Sequence, residues 1–326
     1  MKRPVSSRPR TVRRRSPRGF GAGAAALLAA ACAVACGGGG GADGGGPVFG
    51  VLTAMPSELG AVLEYVAVDD VREVDGRWFH SGRIGSTPVV VAMTGVGLEN
   101  ARATTRTLVA TFDVAGVVVS GVATSPFGIG DVTVAARWRA ADGTSVAVDG
   151  SWLDRVRDAA RQGRIMLEHC TEIPGTLPIP DVSAGERVCF AGTPRVVVGG
   201  YGWSSDESGG SVASCIPGGD DVFACDDGTT PAAPPRVGKA HPAALLELAA
   251  EDEAAEDEAA DDMETTAVAE ETVAAGLPFV AFRASSDGGD DPLALSGLLE
   301  FFAYYRLAAR NAASAAAVFL GAGGPA

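Results

Sequence analysis

The chain has 326 residues and a formal net charge of −14, from 26 Lys and Arg against 40 Asp and Glu. An acidic balance excludes a nucleic-acid partner, because phosphates need a basic face. Eight of the basic residues fall within the first 36 positions, and without them the charge is about −22.

Those 36 residues hold no acid and run into an apolar, Ala-rich stretch from Phe20 to Ala35. A basic start, a short apolar run and small residues describe a secretory leader, since the run is too short to span a bilayer. Ala33-Val34-Ala35 directly before Cys36 suggests a bacterial lipoprotein signal, with Cys36 lipidated after cleavage; Cys32 is a second candidate. The expected location is the bacterial cell envelope, and the expected membrane contact is through that lipid. Residues 37–46 are almost all Gly, a flexible tether. The remainder, 47–326, is long enough for one large α/β domain.

Val48–Thr53 is a short apolar run of buried-strand type, and Pro56-Ser57 after it starts a helix. Strands are expected at Arg77–Ile84 and Pro88–Met93, then a helix over Leu98–Thr111 after Thr94-Gly95-Val96-Gly97. Val114–Ser120 reads as a strand covered on both faces, and another begins at Gly130. A helix over Trp152–Arg161 and a strand over Arg195–Val198 continue the alternation, which points to an α/β fold. From Ser204 to Ala240 the texture turns to Gly, Pro, Ser and Asp, a long surface excursion of lid type. The repeat Glu251-Asp252-Glu253-Ala254-Ala255, copied at 256–260, reads as a solvated helical extension, with a calcium-binding acidic face over 251–262 as the alternative. Leu293–Leu320 closes the domain as a long helix.

Beyond Cys32 and Cys36 four cysteines remain: Cys170, Cys189, Cys215 and Cys225. An even count in an exported chain favours disulfides. Cys215 with Cys225 would staple the excursion and leave Cys170 with Cys189, although sequence alone allows three connectivities. With three His and no CxxC or HExxH pattern, a zinc site is not expected.

Four segments carry chemistry: 50–58 (GVLTAMPSE), 94–100 (TGVGLEN), 120–131 (SGVATSPFGIGD) and 262–287 (DMETTAVAEETVAAGLPFVAFRASSD). In this order they resemble the nucleoside phosphorylase superfamily, and within it the methylthioadenosine/S-adenosylhomocysteine nucleosidases. The resemblance runs from about residue 48 to 320, with 204–262 as an insertion. It implies a three-layer α/β/α sandwich with a mixed central sheet, a homodimer and no cofactor or metal. It further implies hydrolysis of the N-glycosidic bond of a purine nucleoside. Asp287 would be the general acid to the base, oriented by Ser286, and Glu58 would activate water. Glu264 would grip the ribose hydroxyls over an apolar floor from Met263. Trp203 would stack on the base, and Val96, Val122 and Thr124 would complete the pocket.

Thr124 and Ser125 stand where the family has Gly-Gly, which implies an altered base pocket. The Gly-Asp loop and following Arg that many phosphorylases use for phosphate are absent after the first strand, and Glu58 occupies that turn. Arg102 and Arg106, on the next helix, are the alternative anion ligands. A phosphorylase, and a nucleoside-binding lipoprotein without catalysis, are the competing readings. Export would favour scavenged nucleosides over a cytoplasmic recycling substrate.

Overall fold

The computed structural model describes residues 47–140, 142–175, 183–206, 215–248, 257–295 and 297–321. The leader, the tether, Cys36 and positions 251–256 of the acidic repeat lie outside the described residues. Among the described residues no helix is long and apolar enough to cross a membrane.

The chain opens with β1 (Val48–Thr53) and α1 (Pro56–Leu63), followed by the meander β2 (Ala67–Val74), β3 (Arg77–Ile84) and β4 (Thr87–Met93). Helix α2 (Leu98–Thr111) leads to β5 (Val114–Gly128), β6 (Val132–Val134), β7 (Arg137–Ala140) and β8 (Ser145–Ala147). After α3 (Gly150–Arg161) come the short β9 (Met166–Leu167), β10 (Cys170–Glu172) and β11 (Arg187–Cys189), then β12 (Arg195–Val198) and β13 (Tyr201–Ser204). The last third holds β14 (His241–Pro242), β15 (Ala244–Glu247), β16 (Glu258–Asp262), α4 (Thr265–Ala274), β17 (Phe279–Gly289) and α5 (Leu298–Leu320).

The main sheet has the order β15-β12-β6-β17-β5-β1-β4-β3-β2. Its centre is parallel, β17 with β5, β5 with β1 and β1 with β4, while β6 runs antiparallel to β17 and β3 runs antiparallel to both β2 and β4. This is the mixed sheet the family resemblance implied. Helices α1 and α3 pack with α5, and α2 packs with α4, so the helices form two groups against it. Strands β1, β5 and β17 are near-continuous apolar runs because they are buried from both sides. Phe282 lies 5.5 Å from Phe319 and Trp152 lies 5.2 Å from the same ring, measured between centroids. Phe282 and Phe319 are fully buried, and rings of that kind contribute ~1.5–3 kcal/mol each.

Several expectations need correction. Glu258–Asp262 is a strand, not helix, because it pairs in parallel with β13 and touches β5 at Thr124. Strand β5 runs eight residues past Ser120, carried by its long ladder with β17. The second strand of that region starts at Val132, not Gly130, since Gly130 is in a turn at φ 85°. Helix α5 begins at Leu298 because Asp291 folds the preceding segment into a turn, accepting from Leu293 N at 2.8 Å, and Gly297 sits at φ 58°. The chain forms the disulfides Cys170–Cys189, which clips β10 to β11, and Cys215–Cys225.

Candidate active site

Three parallel central strands end at one edge of the sheet, where open α/β folds place their ligands. A cavity of about 370 Å³ opens there, inside the ~300–1,000 Å³ range of small-molecule sites. Glu58, Val96, Val122, Thr124, Met263, Glu264, Ser286 and Asp287 all line it.

Glu58 comes from the first turn of α1, directly after β1. Its Oε2 accepts the amides of Ala54 (2.6 Å) and Met55 (3.0 Å), and its Oε1 accepts the amide of Val122 at 2.8 Å. One carboxylate thus caps a helix start and ties β5 to it. Burial pushes its pKa up, against the opposing field of Arg283 and the three amide donors. Gly121 lies beside it, and a Cβ there would stand 2.6 Å from Glu58 Oε1 and 2.4 Å from Arg283 Nη1, so only glycine fits.

Glu264 precedes α4. Its Oε1 accepts the Gly97 amide at 2.9 Å, and Gly97 holds φ 105°, a conformation that favours glycine. Its Oε2 meets Arg283 Nη2 at 3.2 Å. Burial raises the Glu264 pKa to about 7, with the charges of Asp262 and Glu58 adding to the rise against Arg283 and the Gly97 amide.

Arg283 is the hub of this floor. It is 1% exposed, and its Nε contacts Asp262 at 2.7 Å and Thr265 Oγ1 at 3.1 Å, while Nη1 donates to Val122 O at 3.2 Å. Asp262 is fixed in turn by Ser204 Oγ at 2.5 Å, by Thr265 Oγ1 and by the amides of Glu264 and Thr265. Three buried acids surround one guanidinium, so the floor holds more carboxyl groups than cations.

Ser286 and Asp287 are aimed by an irregularity. In the β17–β5 ladder Ser285 faces Ala123 and Asp287 faces Thr124, which leaves Ser286 as an extra residue. Such bulges re-aim side chains beside ligand sites. Asp287 is half-buried, and its two oxygens accept one hydroxyl each: Oδ1 from Ser286 at 2.7 Å and Oδ2 from Thr124 at 2.6 Å. The Thr124 side chain that departs from the family's Gly-Gly therefore touches the acid itself. Ser125 is buried, and its Oγ accepts the Phe127 amide.

Trp203, expected to stack on the base, is not among the residues that line this cavity. Strand β13 alternates, and Ser204, next to it, is the side chain that turns inward to Asp262. The aromatic wall of the cavity is instead Phe223, Phe301 and Phe302. Sequence reasoning missed these. Phe301-Phe302 were legible only as helix core, and Phe223 was hidden inside the excursion. Arg283 was quoted within its motif without a role. Arg102 and Arg106 do not reach the cavity; they pair with Glu270 and Glu271 on α4.

Residues 48–164 match the family model described as the Phosphorylase superfamily. The uncharacterized protein Rv2293c of Mycobacterium tuberculosis is 35% identical over 188 residues, which is 54% of this chain and 75% of that protein. Among solved structures, a 5′-methylthioadenosine/S-adenosylhomocysteine nucleosidase from Helicobacter pylori superposes with a TM-score of 0.55 at 17% identity, covering 84% of this chain and 97% of that one. A futalosine hydrolase of Helicobacter pylori superposes with a TM-score of 0.51 at 18% identity, covering 84% and 97%. The superfamily's match covers 48–164 and the solved structures share the fold, while the 35% identity across three quarters of Rv2293c shows that the chain belongs to one family with that protein.

Proposed function

We propose that the protein hydrolyses the N-glycosidic bond of a purine nucleoside. The observation that carries this reading is the meeting of Glu58, Glu264 and Asp287 around one cavity over a floor that Met263 shares. Cleaving that bond leaves an oxocarbenium-like sugar and a base that must gain a proton. Asp287, at the mouth of the floor, delivers the proton to the base, and Ser286 and Thr124 hold its carboxyl in place. Glu58 orients the attacking water, and Glu264 accepts the ribose hydroxyls. The similar nucleosidase and futalosine hydrolase structures support a glycosidic substrate. The leader and Cys36 support an envelope-anchored enzyme that works on scavenged nucleosides.

Hydrolysis is favoured over phosphorolysis by charge. Arg283 is the one Lys or Arg among the described lining residues, and it is committed to Asp262 and Glu264. A phosphate entering here would meet surplus carboxylates. Base release from a panel of nucleosides, followed by chromatography, tests both points. The rate should not respond to added phosphate, and the sugar product should be free. A sugar 1-phosphate would assign the protein to the phosphorylases.

Glu264 gives the reading a pH signature. A group that ionises near 7 and grips hydroxyls only as the anion makes kcat/KM rise as pH passes through about 7. Glu264→Gln should flatten that limb and raise KM. An unchanged limb in the variant would remove Glu264 from the sugar contact.

A further inference from the structure

Glu300 is a buried carboxyl that the chemistry above leaves unused. It sits in the first turn of α5, 8% exposed, and among the described residues it has no ion pair. Nor does its carboxylate accept an amide of its own helix among those residues; Oε1 reaches across to accept the amide of Gly288 at 2.9 Å. Burial pushes its pKa up, and the charges of Asp291 and Asp287 add to the rise against the Gly288 amide. Burying an acid beside other acids costs the fold, and the hydrogen bond to Gly288 shows what this one does.

Gly288 directly follows Asp287. Upstream, the main chain of the acid is fixed by a turn: Gly130 N donates to Ser285 O at 2.8 Å, and Ser285 N donates to Asp131 O at 2.9 Å. Downstream, the β17–β5 ladder shifts register a second time, between Gly288 and Gly289. The peptide unit joining Asp287 to Gly288 is gripped at both ends. Ser285 Oγ donates to its carbonyl at 3.3 Å, and its N–H goes to Glu300. On the β5 side it has no slack, since a Cβ on Gly288 would stand 2.2 Å from Ser125 O. The residues that follow are tied to the same helix, where Tyr304 OH donates to Asp291. Leu298, Phe301 and Phe302 of α5 line the cavity and Glu300 does not, so it reaches the acid's main chain from outside the cavity.

We propose that Glu300 is a positioning residue for the acid. By holding the Gly288 amide it sets the main chain from which the Asp287 carboxyl is aimed, while Ser286 and Thr124 hold the carboxyl itself. Without an acceptor at 300 the Gly288 amide is released, and the bulged end of β17 is free to move and to carry the carboxyl with it. A shift of about 1 Å is enough to cost ~100-fold in rate, because proton transfer needs the donor within hydrogen-bond reach of the base. This rests on the nucleoside reading above, in which Asp287 protonates the base.

The test follows base release from 5′-methylthioadenosine, adenosine and inosine by the full chain and by Glu300→Met, Glu300→Ala and Glu300→Gln, with thermal unfolding read on the same samples. Methionine and alanine remove the acceptor, methionine while filling much of the volume; glutamine keeps an acceptor for the Gly288 amide. The acceptor-free variants should lose about 10–100-fold in kcat with KM within about twofold of the parent, the split expected when an acid is misaimed and binding is untouched. Glu300→Gln should restore kcat to within about threefold of the parent. Parental kcat without the acceptor, a loss as large in Glu300→Gln, or unfolding of both acceptor-free variants overturns the positioning role and leaves the nucleoside reading standing. No base release by the full chain from any of the three compounds overturns the nucleoside reading, and this inference with it.

Discussion

Asp287→Asn should lower kcat by about 10²–10⁴-fold, the usual contribution of a positioned general acid, while KM and the fold stay close to those of the parent. The asparagine keeps one oxygen for the Thr124 or Ser286 hydroxyl and cannot carry a proton to the base. The structural cost is one altered hydrogen bond at a half-exposed position, of order ~1 kcal/mol. Chromatographic base release beside thermal unfolding reads both quantities on one sample. Near-parental turnover in a folded variant would remove Asp287 as the acid. A substrate with a good leaving group should suffer less from the substitution than a natural nucleoside, because its base departs without protonation.

The second large effect concerns stability. Arg283→Met should destabilise the fold by about 3–5 kcal/mol, the range for breaking a buried ion pair from one side. The side chain is 1% exposed and stands against Asp262 and Glu264, with Glu58 close enough to feel its field. Methionine fills much of the volume and leaves three acids without a counter-charge. The loss should depend on pH in a definite direction. A carboxyl whose pKa is raised by folding favours the folded state below its unfolded value, and that gain disappears as the pH rises to the folded value. In the parent this holds for Glu264, raised from 4.5 to about 7, and for Glu58, raised by burial. Removing Arg283 raises them further, so the variant should be least impaired near pH 5 and lose stability steadily towards pH 8. Denaturant unfolding across that range measures it. A loss independent of pH would mean that packing, not charge, is what Arg283 supplies.

Legibility in the sequence followed burial. Strand β3 and helix α2 stand where periodicity put them, and β1 is a run of apolar residues that only a covered strand accepts. The three acids that line the cavity were legible through the resemblance, whose motifs pair each with a neighbour in sequence: Glu58 with a helix start, Glu264 with Met263, Asp287 with Ser286. Strand β2 was missed because it is an exposed edge, Ala67–Val74, with polar residues on both faces. Strand β16 was misread because Glu-Ala repeats favour helix locally, and only pairing with β13 overrides that preference. The Phe223 contact depends on a disulfide ring folding back onto α5, a long-range event that leaves no periodic trace. That Trp203 does not line the cavity was hidden for a related reason: order along the chain does not say which face of a short strand meets it.

The double duty of Glu58 has a consequence for reading relatives of this chain. Its carboxylate satisfies the amides of Ala54, Met55 and Val122, so losing it disturbs the start of α1 whether or not any substrate is ever turned over. Selection for a folded protein alone is enough to keep that acid through evolutionary drift. Among the described residues the Asp287 carboxylate meets two hydroxyls and no backbone amide, so folding places little constraint on it. A descendant that had abandoned chemistry would forget Asp287 first and carry Glu58 as a fossil, which makes the state of position 287 the informative one when activity is inferred across the family.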